Sequence, residues 1–338
     1  NEQLDRTKKQ VICCSRGKFS VEAAEELAEA GYDAVSLEGG YIAWLLDTVK
    51  QQEAEDYCKE VEKSIRKKFR KTIWCRFVKA VKDYELVKPG DRIAVCISGG
   101  KDSMLMAKLF QELLLHHKFD FTVKFLVMDP GYSPANRQVI EENARRLQIP
   151  IKIYESDIFD SVYTSEKNPC YLCARMRRGY LYSKAQELGC NKIALGHHFS
   201  DVIETPVMSM FYGGQLQAML PKLHSKNFEG MELIRPMYCI HEDAILDWKR
   251  YNNLQFIQCA CRFTENCAIC DNGGGGSKRQ EIKTLIRRLK RDNPNIEKSI
   301  FNSIHNVNID TMPGYKTDGD YHTFLEKFDA CMDGEPEE

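Results

Sequence analysis

The segment Arg92-Ile-Ala-Val-Cys-Ile97 and the turn after it, Ser98-Gly-Gly-Lys-Asp-Ser103, are the most informative part of the chain. The apolar run before the glycine pair predicts a buried strand, and the apolar spacing that follows predicts a helix. Glycines let backbone N–H groups approach phosphate oxygens, and a helix N-terminus adds partial positive charge. Lys101 adds a full charge, so this stretch predicts an anion-binding turn between strand and helix.

Strands and helices alternate beyond this turn. The predicted strands are Arg92–Ile97, Phe121–Met128, Ile151–Tyr154 and Lys192–Leu195. The predicted helices are Asp102–His116, Asn136–Leu147, Arg175–Leu188 and Asp201–Phe211. This alternation predicts an α/β fold, with a parallel sheet flanked by helices and ligands at the carboxyl ends of the strands.

The two ends of the chain differ from this central pattern. Before it, residues 8–46 have the pattern of a small β-α-β piece, and residues 47–85 that of a charged helical connector. After it, Ser277 and Gln280 form a capping-box pattern that opens the helix Lys278–Leu289, and a tail is predicted beyond Asn306. The predicted domains are therefore 1–46, 47–85, 86–258 and 259–338.

Composition narrows the class of protein. The 338 residues, 43% of them hydrophobic, can bury a sizeable core in one or two domains. No apolar run has the length of a membrane span, and the polar start lacks a signal peptide. We therefore expect a cytoplasmic protein, with a true N-terminus upstream because no initiator Met is present. In a reducing cytosol the 14 cysteines indicate metal or sulfur chemistry.

Positive charge is concentrated in two segments, although the net charge is only −1. The first contains Lys59, Lys63, Arg66, Lys67, Lys68, Arg70, Lys71, Arg76, Lys79 and Lys82. The second contains Lys278, Arg279, Lys283, Arg287, Arg288, Lys290 and Arg291. Such segments suit a polyanion partner such as RNA, and the simpler alternative is two solvated helix faces.

The glycine turn is not a Walker A loop, whose spacing is absent. It resembles the SGGxDS loop of the PP-loop family, whose members cleave ATP between the α and β phosphates and adenylate a carbonyl oxygen. The resemblance implies that Ser98, Gly99, Gly100, Lys101, Asp102 and Ser103 bind ATP. Gly196-His-His-Phe-Ser-Asp201 resembles the family's GHHxxD segment, which implies that Gly196 and His197 line the nucleotide site and that Asp201 helps to hold Mg²⁺. Asp129 is assigned to the same cofactor site.

Cys170 and Cys173 form a C-x-x-C pair just before a predicted helix. Alone, the pair is compatible with a zinc half-site or a redox pair. The surrounding runs PCYLCARMRRGYLY, IALGHH, MSMFYGGQLQAMLPKL and IRPM resemble the tRNA 2-thiocytidine synthase family over roughly Leu86 to His305. In that family the pair and one later cysteine hold a [4Fe–4S] cluster with one open iron.

The third cluster ligand aligns with Cys259. The family usually has C-x-x-C at this point, whereas this chain has Cys259-Ala-Cys261, so Cys261 is an alternative ligand. Cys259, Cys261, Cys267 and Cys270 are also compatible with a structural zinc site.

These resemblances predict an ATP-dependent tRNA sulfurtransferase that inserts sulfur at C2 of a pyrimidine, most simply a cytidine of the anticodon loop. Lys101, Asp102 and Asp201 would act in catalysis, and Arg175, Arg177 and Arg178 would face the substrate. The alternatives are 2-thiouridine synthesis by the same chemistry, a PP-loop amide ligase that uses ammonia, and an RNA-binding iron–sulfur sensor. A cysteine desulfurase or free sulfide would supply the sulfur.

The N-terminal piece resembles the C-terminal half of a rhodanese domain, through Cys14-Ser-Arg-Gly-Lys-Phe-Ser20 and Leu37-Glu-Gly-Gly40. The resemblance implies that Cys14 carries a persulfide in a loop before a helix N-terminus, which lowers the pKa of a thiol. Only half of such a domain is present, so a purely structural role is the alternative. A homodimer would let Cys14 serve the site of a second copy.

Overall fold

The N-terminal piece has the predicted β-α-β order in a computed structural model that describes residues 4–116, 119–158, 169–257 and 278–330. Strand β1 (Gln10–Ile12), helix α1 (Phe19–Glu29) and strand β2 (Ala34–Ser36) follow one another, and the two strands pair in parallel. This N-terminal piece has little hydrophobic core; the Phe19 side chain, for example, is 79% exposed.

Helix α2 (Gly40–Arg66) begins inside this piece rather than after it, so the predicted connector starts earlier than residue 47. A π-helical turn (Arg70–Trp74) and helix α3 (Cys75–Asp83) continue it. Val61, Ile65, Ile73, Phe77 and Ala80 are buried along this stretch, at spacings of three to eight residues. One face therefore packs on the protein while the basic residues lie on the other.

The α/β region alternates as the sequence predicts. Its elements in chain order are β3 (Arg92–Ile97), α4 (Lys101–His116), β4 (Thr122–Asp129), α5 (Pro134–Arg146), β5 (Ile151–Glu155), α6 (Pro169–Glu187), β6 (Lys192–Ala194), α7 (Phe199–Gly213), β7 (Lys222–His224), β8 (Glu232–Ile234) and α8 (Glu242–Tyr251).

The six strands β3 to β8 form one sheet in the order β5-β4-β3-β6-β8-β7. All neighbours are parallel except β7, which runs antiparallel to β8 at the edge. After β3, the chain places β4 and β5 on one side of this strand and then β6 on its other side. This reversal leaves a crevice at the carboxyl ends of β3 and β6, the usual ligand site of such sheets.

Strand β3 is apolar along most of its length because both of its faces are covered. Ile93, Ala94 and Val95 are fully buried. One packed cluster joins the sheet to helix α6 and contains Ala94, Cys96, Leu126, Tyr182, Ala185, Cys190, Ile193, Met231 and Leu233. The predicted α/β fold with a mainly parallel sheet is confirmed.

The described chain divides into two compact units, residues 1–198 with 221–266, and residues 199–220 with 267–338. The second unit contains α7, α9 (Lys278–Asp292) and α10 (Ile296–Ser303) around a core of Phe199, Ile203, Ile282 and Ile286. It continues with a 3-10 turn (Ile309–Thr311), the antiparallel strands β9 (Gly314–Thr317) and β10 (Asp320–Thr323), and α11 (Leu325–Ala330).

Two predictions about local structure were wrong. The C-x-x-C pair lies inside helix α6, because Pro169 is an acceptable first helical residue and starts the helix before the cysteines. The segment beyond Asn306 is not a tail, since it forms a hairpin and a short helix. Strands β7 and β8 and helix α8 were not predicted; the two strands have only three residues each, which leaves almost no periodicity to read. Ser277 of the predicted capping box lies outside the described residues.

No helix in the described ranges is both long and apolar enough to cross a bilayer.

Candidate functional site: a cavity beside the glycine turn and the cysteine helix

The Ser98–Ser103 turn connects the end of β3 to the start of α4. The Ser103 hydroxyl donates to the Gly100 carbonyl at 3.0 Å and accepts from the Ser98 N–H at 3.1 Å. These bonds close the turn around its own backbone and hold the helix N-terminus at the strand end. The turn therefore has the fixed form that an anion-binding loop requires.

Two glycines bring the neighbouring elements close. Gly99 has a φ of +79°, and a Cβ there would lie 2.5 Å from the Ile140 side chain. A Cβ at Gly196 would lie 3.2 Å from the backbone nitrogen of Ser103. The predicted second segment thus touches the first, as strands β3 and β6 are sheet neighbours.

The Lys101 ammonium lies between two carboxylates. Its Nζ is 3.0 Å from Asp102 Oδ2 and 3.4 Å from Glu242 Oε1. Burial by itself would lower the pKa of Lys101, but the two carboxylates outweigh it and raise this pKa above its ordinary value. Lys101 is therefore a protonated cation in the turn, at the start of helix α4.

The remaining carboxylate oxygen, Asp102 Oδ1, is buried and has no hydrogen-bond partner in the described part of the chain. It lies 3.8 Å from Nε2 of the buried His198. A buried acceptor without a donor is unusual and marks a place where a ligand or ion can bind.

A cavity of about 340 Å³ lies beside the turn. Its lining residues are Cys96, Ile97, Ser98, Asp102, Ser103, Met128, Ala174, Arg177, Arg178, Leu181, Leu195, Gly196 and His197. Residues 174, 177, 178 and 181 share one face of α6, which explains why Arg177 and Arg178 reach the cavity while Arg175 does not line it. Burial raises the pKa of Cys96 to about 12, so this lining thiol stays protonated.

Cys173 directly precedes the cavity-lining Ala174 and is buried, with 8% of its surface exposed. Burial raises the pKa of the nearby Tyr132, and the charges of Arg177, Asp129 and Cys173 also act on this phenol. Cys170 lies in the same first turn of α6, three positions earlier. Cys259 and its alternatives Cys261, Cys267 and Cys270 lie outside the described residues.

Asp129, predicted to bind the cofactor, ends β4 and is 5% exposed. Its Oδ1 accepts from the N–H groups of Gly131 and Tyr132 at 2.8 and 2.6 Å, and its Oδ2 lies 3.1 Å from Nη1 of Arg137. In the structure Asp129 therefore organises the loop between β4 and α5.

Asp201, the last residue of the Gly196–Asp201 segment, belongs to the second unit. There its Oδ1 lies 2.5 Å from Nη1 of Arg279, the second residue of the basic helix α9. A carboxylate with this partner can bind a metal ion only if the guanidinium moves away.

Cys14 lies in the loop between β1 and α1, with its Sγ 3.5 Å from the Ser20 hydroxyl. That hydroxyl lowers the pKa of Cys14 to about 6, helped by the backbone N–H groups of Ser20, Arg16 and Phe19 and opposed by burial. Gly40 makes room for the loop, since a Cβ there would lie 2.3 Å from the Cys14 carbonyl oxygen. A lowered pKa favours the thiolate, the reactive form of a cysteine.

Sequence reasoning missed Glu242. Glu242 is the first residue of α8, after the missed strand β8. A carboxylate at the start of a helix beyond a strand is the signal that could have found it, as with Asp102 after β3.

Comparisons with known proteins agree with this geometry. The model of the PP-loop domain family matches residues 69–262. The tRNA-cytidine(32) 2-sulfurtransferase of Citrifermentans bemidjiense is 35% identical over 69% of this chain and 89% of the relative. The protein of the same name from Neisseria meningitidis serogroup C is 34% identical over 68% of this chain and 69% of the relative.

Among solved structures, the U34-tRNA thiolase NcsA from Methanococcus maripaludis with its [4Fe-4S] cluster matches with a TM-score of 0.52. The match has 22% identity and covers 75% of this chain and 78% of that chain, so it supports the fold. The family predicted from the sequence is confirmed: the chain belongs to the PP-loop family and, within it, to the tRNA-cytidine(32) 2-sulfurtransferases.

Proposed function

We propose that this chain converts cytidine 32 of tRNA to 2-thiocytidine, with ATP as the activating substrate. The observation that carries the proposal is that one cavity is lined jointly by the Ser98–Ser103 turn, by Gly196 and His197, and by the helix that bears Cys173. The name shared by relatives at 33–35% identity supports the choice of base and position.

The chemistry requires the C2 oxygen of the base to become a leaving group. This oxygen attacks the α-phosphorus of ATP, forming an O–P bond while pyrophosphate departs. A hydrosulfide then attacks C2, and AMP leaves with the original oxygen. Lys101 and the N–H groups at the start of α4 would stabilise the negative charge that develops on the phosphates. Arg177 and Arg178 would orient the base or its phosphate at the cavity.

Magnesium would be held by Asp102, whose buried Oδ1 has no hydrogen-bond donor in the described ranges. No three His, Cys, Asp or Glu side chains gather into a metal-binding group within those ranges. Mg²⁺ is usually bound by one or two carboxylates together with substrate phosphates, and Asp102 would provide one of them. Asp201 would bind a metal ion only after release from Arg279.

Cys170, Cys173 and Cys259 would hold a [4Fe–4S] cluster. The donor set fits, because cysteine thiolates are the usual ligands of such clusters and buried Cys173 directly precedes the cavity-lining Ala174. When bound, such a cluster offers one iron that can keep a sulfur ligand deprotonated.

Nucleoside mass spectrometry of tRNA from a strain lacking the gene tests the assignment. We expect 2-thiocytidine to disappear and to return with the wild-type gene but not with Lys101→Ala. Loss of 2-thiouridine instead would overturn the choice of base, and unchanged nucleosides would overturn the function.

We propose that tRNA binds to the exposed surface formed by Lys67, Arg70 and Lys71. Lys67 lies at the end of α2, and Arg70 and Lys71 lie in the π-helical turn. The side chains of these three residues make no hydrogen bond or ion pair with another described residue, whereas Lys59 pairs with Asp56 and Lys63 with Glu60. Arg66 is excluded because it lies 3.1 Å from the buried Glu112. Unpaired cations can exchange their counterions for phosphates.

We expect the triple reversal Lys67→Glu, Arg70→Glu and Lys71→Glu to weaken tRNA binding at least about tenfold and to flatten its salt dependence, since about three phosphate contacts are lost. ATP binding should not change. The matched control reverses Lys50, Lys59 and Lys63 on helix α2, with the same change in net charge. Equal losses in both triple variants would mean that this surface makes no specific contact.

We further propose that Cys14 supplies sulfur. Thiosulfate would transfer its outer sulfur to the Cys14 thiolate, with sulfite as the leaving group. A small-molecule thiol would then attack Cys14 Sγ and release hydrosulfide, and a second thiol would reduce the resulting mixed disulfide. The lowered pKa of Cys14 and the tight Gly40 contact support this role. Without Cys14, hydrosulfide would come from a cysteine desulfurase or from solution.

Replacing Cys14 by Ser should abolish thiolation supported by thiosulfate and a thiol, and should preserve thiolation supported by sulfide. The premise is checked by the pH dependence of Cys14 alkylation. Because the thiolate is the reactive form, the rate should be high above pH 6 and fall as the pH drops through about 6.

Ser20→Ala should move this alkylation midpoint upwards, and unfolding in urea should move it to about 8.5, the value of a free cysteine. A native midpoint already near 8.5, or equal losses with both sulfur sources in Cys14→Ser, would contradict the role.

We also propose that the protein works in the cytoplasm, where its tRNA substrate is, and that it forms a homodimer in which Cys14 can serve a second copy.

A further inference from the structure

Glu242 has no role in the chemistry described so far, yet it contacts the central cation of the site. Its Oε1 lies 3.4 Å from Lys101 Nζ, and its side chain is 11% exposed. Bringing a carboxylate this far out of water is costly unless a cation compensates it. The contact also joins two distant parts of the chain, the turn after β3 and the start of α8.

The fold holds Glu242 firmly. Helix α8 begins at this residue and is seated by Ile240, Ile245 and Trp248, each fully buried. A carboxylate at the first position of a helix is stabilised by the partial positive charge of the helix N-terminus. Glu242 is therefore a rigid anchor, whereas the four-carbon chain of Lys101 is flexible.

Lys101 has a second partner, Asp102, but that partner has a competing task. If Asp102 takes up Mg²⁺ with the nucleotide, its carboxylate is drawn to the metal ion and its hold on Lys101 weakens. The Glu242 carboxylate remains at its fixed place. Glu242 would therefore still hold the Lys101 ammonium when Asp102 is bound to the metal ion.

We propose that Glu242 is a positioning residue for ATP cleavage, which holds the Lys101 ammonium in line with the phosphates once Asp102 binds the metal ion. This inference rests on the proposed role of Lys101 towards ATP. It assigns Glu242 no contact with substrate, so its effect should pass entirely through Lys101.

The test is pyrophosphate release by the anaerobically purified holoenzyme with saturating tRNA. We expect Glu242→Gln to lower kcat about 10- to 100-fold, the range for a displaced catalytic group, while the KM for ATP changes less than about threefold. Glu242→Asp, which keeps the charge on a shorter chain, should recover part of kcat. The matched control is Asp243→Asn, because Asp243 is the next residue of the same first turn and is exposed.

A double-mutant cycle gives the sharper readout. In the Lys101→Ala background, Glu242→Gln should cost less than about twofold, because the group it positions is gone. Thermal unfolding of each variant separates a loss of rate from a loss of folded protein. If Glu242→Gln does not fold, Glu242→Asp takes its place in the cycle.

Wild-type kcat in Glu242→Gln, or losses that multiply in the double variant, would overturn the inference. If Lys101→Ala itself retains full rate, the proposed function fails instead, so the two failures are distinguishable.

Discussion

Lys101→Ala is expected to lower the rate of ATP cleavage to AMP and pyrophosphate by about 100-fold or more. Lys101 provides a full positive charge in the Ser98–Ser103 turn, and its protonated form is secured by two carboxylates. Removing a charge that stabilises the transition state costs on the order of 10²- to 10³-fold. The measurement is pyrophosphate release with tRNA and excess sulfide.

Lys226→Ala, which removes an exposed lysine elsewhere in the same unit, is the control and should retain the wild-type rate. Release of ADP and phosphate by the wild-type enzyme would contradict the PP-loop chemistry, since that family cleaves between the α and β phosphates. A wild-type rate in Lys101→Ala would remove the central role given to this residue.

Cys173→Ser should remove the iron–sulfur cluster and reduce thiolation below detection. The wild-type protein, purified without oxygen, should be brown and contain about four iron and four sulfide per chain. Cys173 is buried one position before the cavity-lining Ala174, so no solvent ligand can readily replace its thiolate. ATP binding should persist, because the Ser98–Ser103 turn is intact.

The exposed Cys75 provides the control, and Cys75→Ser should retain both iron and activity. Stoichiometric zinc without iron in the wild-type protein would contradict the cluster and favour the alternative zinc site. Iron and thiolation that persist in Cys173→Ser would show that the ligands lie elsewhere among the cysteines.

The strand–turn–helix around Ser98–Ser103 was predictable because its signal is local. Five buried positions in a row mark β3, and the glycine turn must lie at its end. The same holds for Gly196–Asp201 after β6. Parallel pairing of β3 with β6 then brings the two motifs together without further information.

The Glu242 contact was not predictable in this way. It depends on β8, whose three residues carry no readable period, and on the long-range pairing of β8 with β6. The position of Cys173 was predictable only in part, since the sequence placed the pair before the helix rather than in its first turn. The difference matters because the helical spacing puts Ala174, Arg177 and Arg178 on the cavity.

The central claim is that this chain uses ATP to put sulfur on a cytidine of tRNA. The most direct measurement combines purified holoenzyme, unmodified tRNA, ATP, Mg²⁺ and sulfide, followed by mass spectrometry of the tRNA nucleosides and assay of the nucleotide products. The account predicts 2-thiocytidine at position 32, with one AMP and one pyrophosphate for each sulfur inserted. Sulfur on uridine, 2-thiocytidine formed without ATP, or ADP as the product would contradict it.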